Sequence, residues 1–161
     1  MDVIIAEAQS AGVHFLKLGG ELRHDNAAPL EQLIEGWFSA DAVAVESVVI
    51  DLNELRFMDS TVIGLLACIV RELAERDLPR ATVFSTQPEI NQLLHSLCLD
   101  DAVTLVEAGS APGSTLSLAA VGDQMGQVSA ASILRAHEQL IELNEANRAA
   151  FQPVVDLLRQ G

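Results

Sequence analysis

The sequence predicts an α/β protein, a mixed β-sheet with helices packed mainly on one face, followed by a C-terminal helical hairpin. Three observations predict it. Short apolar runs alternate with stretches whose apolar residues recur at three- and four-residue steps, giving the order strand, strand, helix, strand, helix, strand, helix, strand. Gly, Ala and Ser, with Pro112, then dominate residues 108–126, the composition of a linker. Beyond it lie two more helical stripes separated by a turn. The expected organisation is a compact domain over 1–107, a linker over 108–126 and a helical extension over 127–161.

Met1 to Ala8 reads as a first edge strand. Val13 to Leu18 alternates, with Val13, Phe15 and Lys17 on one side and His14, Leu16 and Leu18 on the other, before Gly19-Gly20 permits a bend or bulge. Asn26 is placed to cap a helix whose stripe is Leu30, Leu33, Ile34, Trp37 and Phe38, with Pro29 in its first turn. Val48 to Leu52 reads as a buried strand whose pattern breaks at Asp51 to Glu54. Val62, Leu65, Leu66, Ile69, Val70 and Leu73 then form the stripe of a helix opening on Asp59-Ser60-Thr61 and ending near Asp77, ahead of Leu78-Pro79. Ala81 to Ser85 is a short strand. Thr86 and Glu89 have capping-box spacing before a helix with inner face Ile90, Leu93, Leu94 and Leu97, and Val103 to Val106 is the last strand. In the extension, Ile133, His137, Leu140 and Ile141 form one stripe, Asn144 to Asn147 a turn, and Phe151, Val154, Val155 and Leu158 a second. Pro153 requires that last helix to start late or to bend. The hairpin's apolar surface needs a cover, either the parent domain or a second copy in a homodimer.

The 161 residues are half apolar and one-fifth charged, enough to bury a core. The net charge of −14 argues against nucleic acid or anionic membrane as partner, since both are held through Lys and Arg. Residues 1–128 carry 19 Asp and Glu against six Lys and Arg, and 129–161 carry four against three, so the main domain favours a basic protein surface. Cys68 and Cys98 lie in apolar helical contexts without metal or redox spacing, which predicts buried free thiols in a reducing, cytoplasmic setting. No apolar run approaches a membrane span, and no basic-then-apolar leader opens the chain.

An enzyme is not expected. Ser60 is not in a G-x-S-x-G elbow, and His14, His24, His95 and His137 have no metal or triad spacing. No cofactor or metal is implied. What distinguishes Ser60 is position: a serine hydroxyl at the start of a helix, where the first N–H groups lack intrahelical partners.

Phe57-Met58-Asp59-Ser60-Thr61, followed by Ile63-Gly64-Leu65 and preceded by Val48-Val49-Ile50-Asp51-Leu52, resembles the STAS domain of the anti-sigma-factor antagonist family. Gly20-Glu21-Leu22 and Leu97-Cys98-Leu99-Asp100 are similar to two further segments of that family, and the likeness covers about residues 3–107. Ala136 to Asn144 is similar to an extension carried by a subset of its members. The resemblance implies a STAS-type fold and a protein-binding module. Ser60 would be phosphorylated by a partner that is both a serine kinase of the histidine-kinase-like ATPase fold and an anti-sigma factor or switch protein, with Thr61 the alternative acceptor. A serine phosphatase would reverse the modification. Partner contacts would fall at Asp59, Ser60, Thr61, Arg23 and Asp25, with Asp59 orienting the hydroxyl. Arg23 stands where the family often has an acid, and Val62 where it often has glycine, which makes the helix start bulkier. The alternative is a scaffold or oligomerisation subunit of a transporter or sensory assembly, with Ser60 unmodified.

Overall fold

The computed structural model describes residues 3–109, 119–120 and 126–160. β1 (Ile4–Ser10) and β2 (Val13–Leu22) form an antiparallel hairpin. Its two-residue turn, Ala11-Gly12, has φ of 51° and 83°, the positive values that match strand twist in tight hairpins. After α1 (Ala28–Trp37), β3 (Ser47–Met58) lies parallel to β2. Next come α2 (Ser60–Glu75), β4 (Thr82–Phe84), α3 (Pro88–Ser96) and β5 (Thr104–Val106), with β4 and β5 added in parallel. A two-residue strand, β6 (Ala119–Ala120), pairs antiparallel with β1. The sheet order is β5-β4-β3-β2-β1-β6, the mixed sheet expected. Apart from that pair, most of the 108–126 linker lies outside the described residues.

β3 is longer than the sequence pattern implied, and the reason is a pair of bulges. Its buried residues are Val48, Ile50, Leu52, Leu55 and Met58, spaced by two, two, three and three. Each three-residue step coincides with a register shift against β2, at Lys17/Gly19 and Gly20/Glu21, where β3 carries one extra residue. Gly20, at φ 79°, supplies the backbone freedom on the β2 side.

Two expected caps do not form. Asn26 builds the loop instead, accepting from the Arg23 N–H (2.8 Å) and donating to the Glu21 carbonyl (2.9 Å), while Ala27 caps α1. The Ala28 N–H donates to the Gly126 carbonyl at 2.9 Å. Thr86 and Glu89 form no capping box. Tertiary contacts take its place: the Thr86 N–H donates to Asn53 Oδ1 (2.9 Å) and the Gln87 amide to the Asn53 carbonyl (2.7 Å).

The core lies between the sheet and its helices, with Leu16, Leu18, Ile50, Leu52, Ile63, Leu66 and Ile69 essentially inaccessible. His14 is buried among them, its ring edge-on to Trp37 at 5.0 Å, and burial pushes its pKa down. A histidine held neutral in the folded state contributes stability at neutral pH that is lost as pH falls below its unfolded value of about 6.5. His95 has the opposite sign, since its hydrogen bond to Asp100 raises its pKa, but it is exposed. Melting temperatures should therefore drop between about pH 7.5 and 5.5, and His14→Phe should flatten that drop, leaving His95 common to both chains. An unchanged slope would remove His14 as the cause.

α4 (Ala130–Leu143) and α5 (Arg148–Gln160) form the C-terminal hairpin, joined by a 3₁₀ turn at Glu145–Asn147. α5 begins at Arg148 and carries Pro153 inside it, so the helix does not start late. α4 packs against α2 of the same chain. Asn147, buried, donates to the Leu97 carbonyl at 2.9 Å and the Leu140 carbonyl at 2.7 Å, tying the hairpin to the end of α3.

Candidate functional site at the start of α2

β3 ends at Met58 and α2 begins at Ser60, leaving Asp59 as the single connecting residue. Asp59 is the N-cap: its Oδ1 accepts from the Val62 N–H at 3.0 Å, and its carbonyl accepts from the Ile63 N–H at 3.1 Å. Its other carboxylate oxygen accepts from the His24 backbone N–H at 2.8 Å, with His24 Nδ1 at 3.2 Å. One carboxylate thus fixes both the start of α2 and the β2–α1 loop. The Ser60 hydroxyl turns to a different partner, so Asp59 does not take the orienting part expected of it.

His24 sits between Arg23 and Asp25, so this tie brings those two expected partner-contact positions to the loop held against Asp59, next to Ser60. The Arg23 guanidinium lies 4.5 Å from the centre of the Phe57 ring and 3.1 Å from Glu21. Asp25 is exposed. Thr61 differs from Ser60: it is only 4 % exposed and belongs to the buried face of α2. Val62 is fully buried in the core, so its bulk is taken up inside the domain rather than at the helix surface.

Ser60 itself is half-buried. Its hydroxyl lies 2.9 Å from His137 Nε2 on α4. His137 Nδ1 lies 2.7 Å from the Ile133 carbonyl, which can only accept. Nδ1 therefore carries a proton, and in the neutral ring Nε2 accepts from the Ser60 O–H. Phe151 of α5 packs edge-on against the imidazole at 5.3 Å. The order of support is Phe151, His137, Ser60, across three helices.

One turn further along α2, Gly64 meets α4 directly. A Cβ there would overlap the Ala136 carbonyl oxygen, so the two helices approach as closely as glycine allows. Arg71 continues the same stripe with an ion pair to Glu142 at 3.2 Å. Cys68, between them, is free and half-buried, and burial pushes its thiol up to about 11, too high for thiolate chemistry near neutrality.

His137 is the functional-site residue that motif spacing does not reveal, being 77 positions from Ser60. Its signal lay elsewhere: a histidine within an apolar helical stripe must find a buried polar partner. A serine hydroxyl donating to imidazole is half of a nucleophilic pair. Here a peptide carbonyl, not a carboxylate, holds the ring, and the visible consequence is to join two layers. Among the described residues no His, Cys, Asp or Glu cluster could hold a metal ion, and no helix is long and apolar enough to cross a membrane.

The STAS domain family matches this chain over residues 5–109, spanning β1 to β5 and the whole junction around Ser60. No curated protein matches it. Among solved structures, an anti-sigma factor antagonist from Mycobacterium paratuberculosis is similar at 25% identity and TM-score 0.50, over 66% of this chain and 87% of that one. The anti-sigma factor antagonist SpoIIAA in its unphosphorylated form is similar in fold, at 22% identity and TM-score 0.51, over 67% of this chain and 90% of that one. The matched family segment ends ahead of α4 and α5.

Proposed function

This chain belongs to the STAS domain family, and we propose that it works as an anti-sigma-factor antagonist switched at Ser60. With Ser60 unphosphorylated it binds a serine kinase of the histidine-kinase-like ATPase fold that doubles as an anti-sigma factor, and so frees that partner's target. Phosphorylation of Ser60 releases the partner, and a serine phosphatase resets the cycle. The setting is the cytoplasm, and the output is transcription or another process under the same partner.

The observation that carries this reading is the position of Ser60. It opens α2 on the partly accessible side of the junction, while the neighbouring Thr61 is buried. A phosphate there adds about −1.5 to −2 charges. The helix N-terminus accommodates an anion, worth about 0.3–1 kcal/mol, so the domain stays folded. A partner docked over the same point meets a dianion beside the Asp59 carboxylate and loses affinity. Arg23, Asp25 and Asp59, held near Ser60 through His24, form the rest of the proposed contact surface.

The alternative reading, a scaffold subunit with Ser60 unmodified, draws on the His137 hydrogen bond, which would then be a permanent structural contact. Mass mapping of the chain isolated from its own cells separates the two. The switch predicts a phosphorylated fraction assigned to Ser60, and a peptide that is unmodified in every growth state supports the scaffold.

A further inference from the structure

The family-matched segment ends at residue 109, yet the side chain of Ser60 is engaged by a residue of α4. We propose that the α4–α5 hairpin is a displaceable cover over the Ser60 face of α2, incompatible with phosphate on Ser60 and in competition with any protein docking there. The regulatory part rests on the switch reading above, whereas the exclusion of phosphate by α4 rests on geometry alone.

Three features carry it. First, the cover is built on the acceptor itself: Ser60 Oγ donates to His137 Nε2, whose lone pair is aimed there because Nδ1–H is committed to the Ile133 carbonyl. A phosphorylated oxygen has no proton to donate, so the hydroxyl-to-ring hydrogen bond that joins α2 to α4 is lost. Second, α4 is pressed close against α2 beside the acceptor. One turn away, the Ala136 carbonyl occupies the space of a Gly64 Cβ, so α4 cannot settle closer or slide without backbone overlap. Third, the α2 stripe under the cover is Ser60, Gly64, Cys68 and Arg71, side chains that tolerate water, and Arg71–Glu142 is an exposed pair of small weight. The main apolar stripe of α2, with Val62, Leu66, Ile69 and Leu73, is buried in the domain core. Leu140 of α4 belongs to the same buried cluster, with Ile133, Leu143 and Phe151 packed against it, so lifting α4 uncovers this apolar edge while the α2 stripe stays in the domain.

The consequence is self-competition. In the unphosphorylated chain the docking face is occupied by its own helix, so a partner's apparent affinity falls by the fraction of molecules that are open. Phosphate on Ser60 removes the cover but makes the same face repulsive, so covered and phosphorylated chains are two distinct ways of being unbound.

Hydrogen exchange on the full-length chain, read by mass, tests this without any partner. The forms compared are the unmodified chain, the chain with phosphoserine installed at position 60, and Gly64→Ala. Amides of α4 should exchange at least tenfold faster in the second and third than in the first, with α5 following, while β3 and the core of α2 keep their protection. Unchanged or increased α4 protection with phosphoserine at 60 overturns the proposal, whatever Gly64→Ala does. Should Gly64→Ala expose β3 as well, the substitution has unfolded the domain and the phosphoserine chain decides alone. Failure of the switch would appear elsewhere, as missing phosphate on the native chain, and would leave this exchange result standing.

Discussion

Replacing Ser60 by aspartate is expected to weaken capture of the anti-sigma kinase about 100-fold, a loss of about 2.7 kcal/mol, while Ser60→Ala keeps most of the affinity. The carboxylate would sit at the first residue of α2 beside the Asp59 carboxylate, and docking would desolvate both. The alanine variant carries no charge and leaves the docking surface otherwise intact. It also removes the hydroxyl that donates to His137, so it loosens the helical cover and makes the docking face easier to reach. The sign of the difference is therefore set by charge rather than by size. Titration of both variants against the purified partner reads it directly, and equal dissociation constants would show that charge at this point does not govern docking.

The second large effect concerns Asp59. Asp59→Ala removes the acceptor of the Val62 N–H and of the His24 N–H together, so it uncaps α2 and frees the β2–α1 loop in one step. Cap losses run about 0.5–2 kcal/mol, and the second orphaned N–H places this one at about 2 kcal/mol, or a fall in melting temperature of about 4–8 °C. Asp59→Asn retains one acceptor oxygen for the cap and should recover about half of that. The ordering wild type, Asn, Ala in thermal melts checks the shared role. A fall of less than about 0.5 kcal/mol for Ala would mean that neither bond matters to the fold.

The main outline of the domain was written in its local patterns. The alternation over Val13 to Leu18 put His14, Leu16 and Leu18 together on one side, and that side is the buried one. The change of period at Asp59 located both the strand end and the helix start, because an Asp-Ser-Thr opening and an apolar stripe agree with each other. What pattern could not supply was long-range. The bulges of β3 changed a two-residue period into a three-residue one, so Leu55 and Met58 did not read as strand. Asn26 and Thr86 satisfy local rules for caps, yet contacts across the loops and with Asn53 claim them first. At the site, the place of Ser60 at the helix start and the Asp59 cap follow from neighbours in sequence. The His137 contact does not, since it depends on how a helix beyond residue 126 lies across α2. The half-buried, hydrogen-bonded state of the Ser60 hydroxyl is the result of that packing.

The central claim is that phosphate on one oxygen, Ser60 Oγ, decides whether the chain can hold its partner. Its most direct test is calorimetric titration of the anti-sigma kinase with one preparation of the full chain carrying phosphoserine at 60, before and after treatment with a serine phosphatase. The account predicts binding that is weak or absent before treatment and about 100-fold tighter after it. Equal affinity in the two states would contradict it.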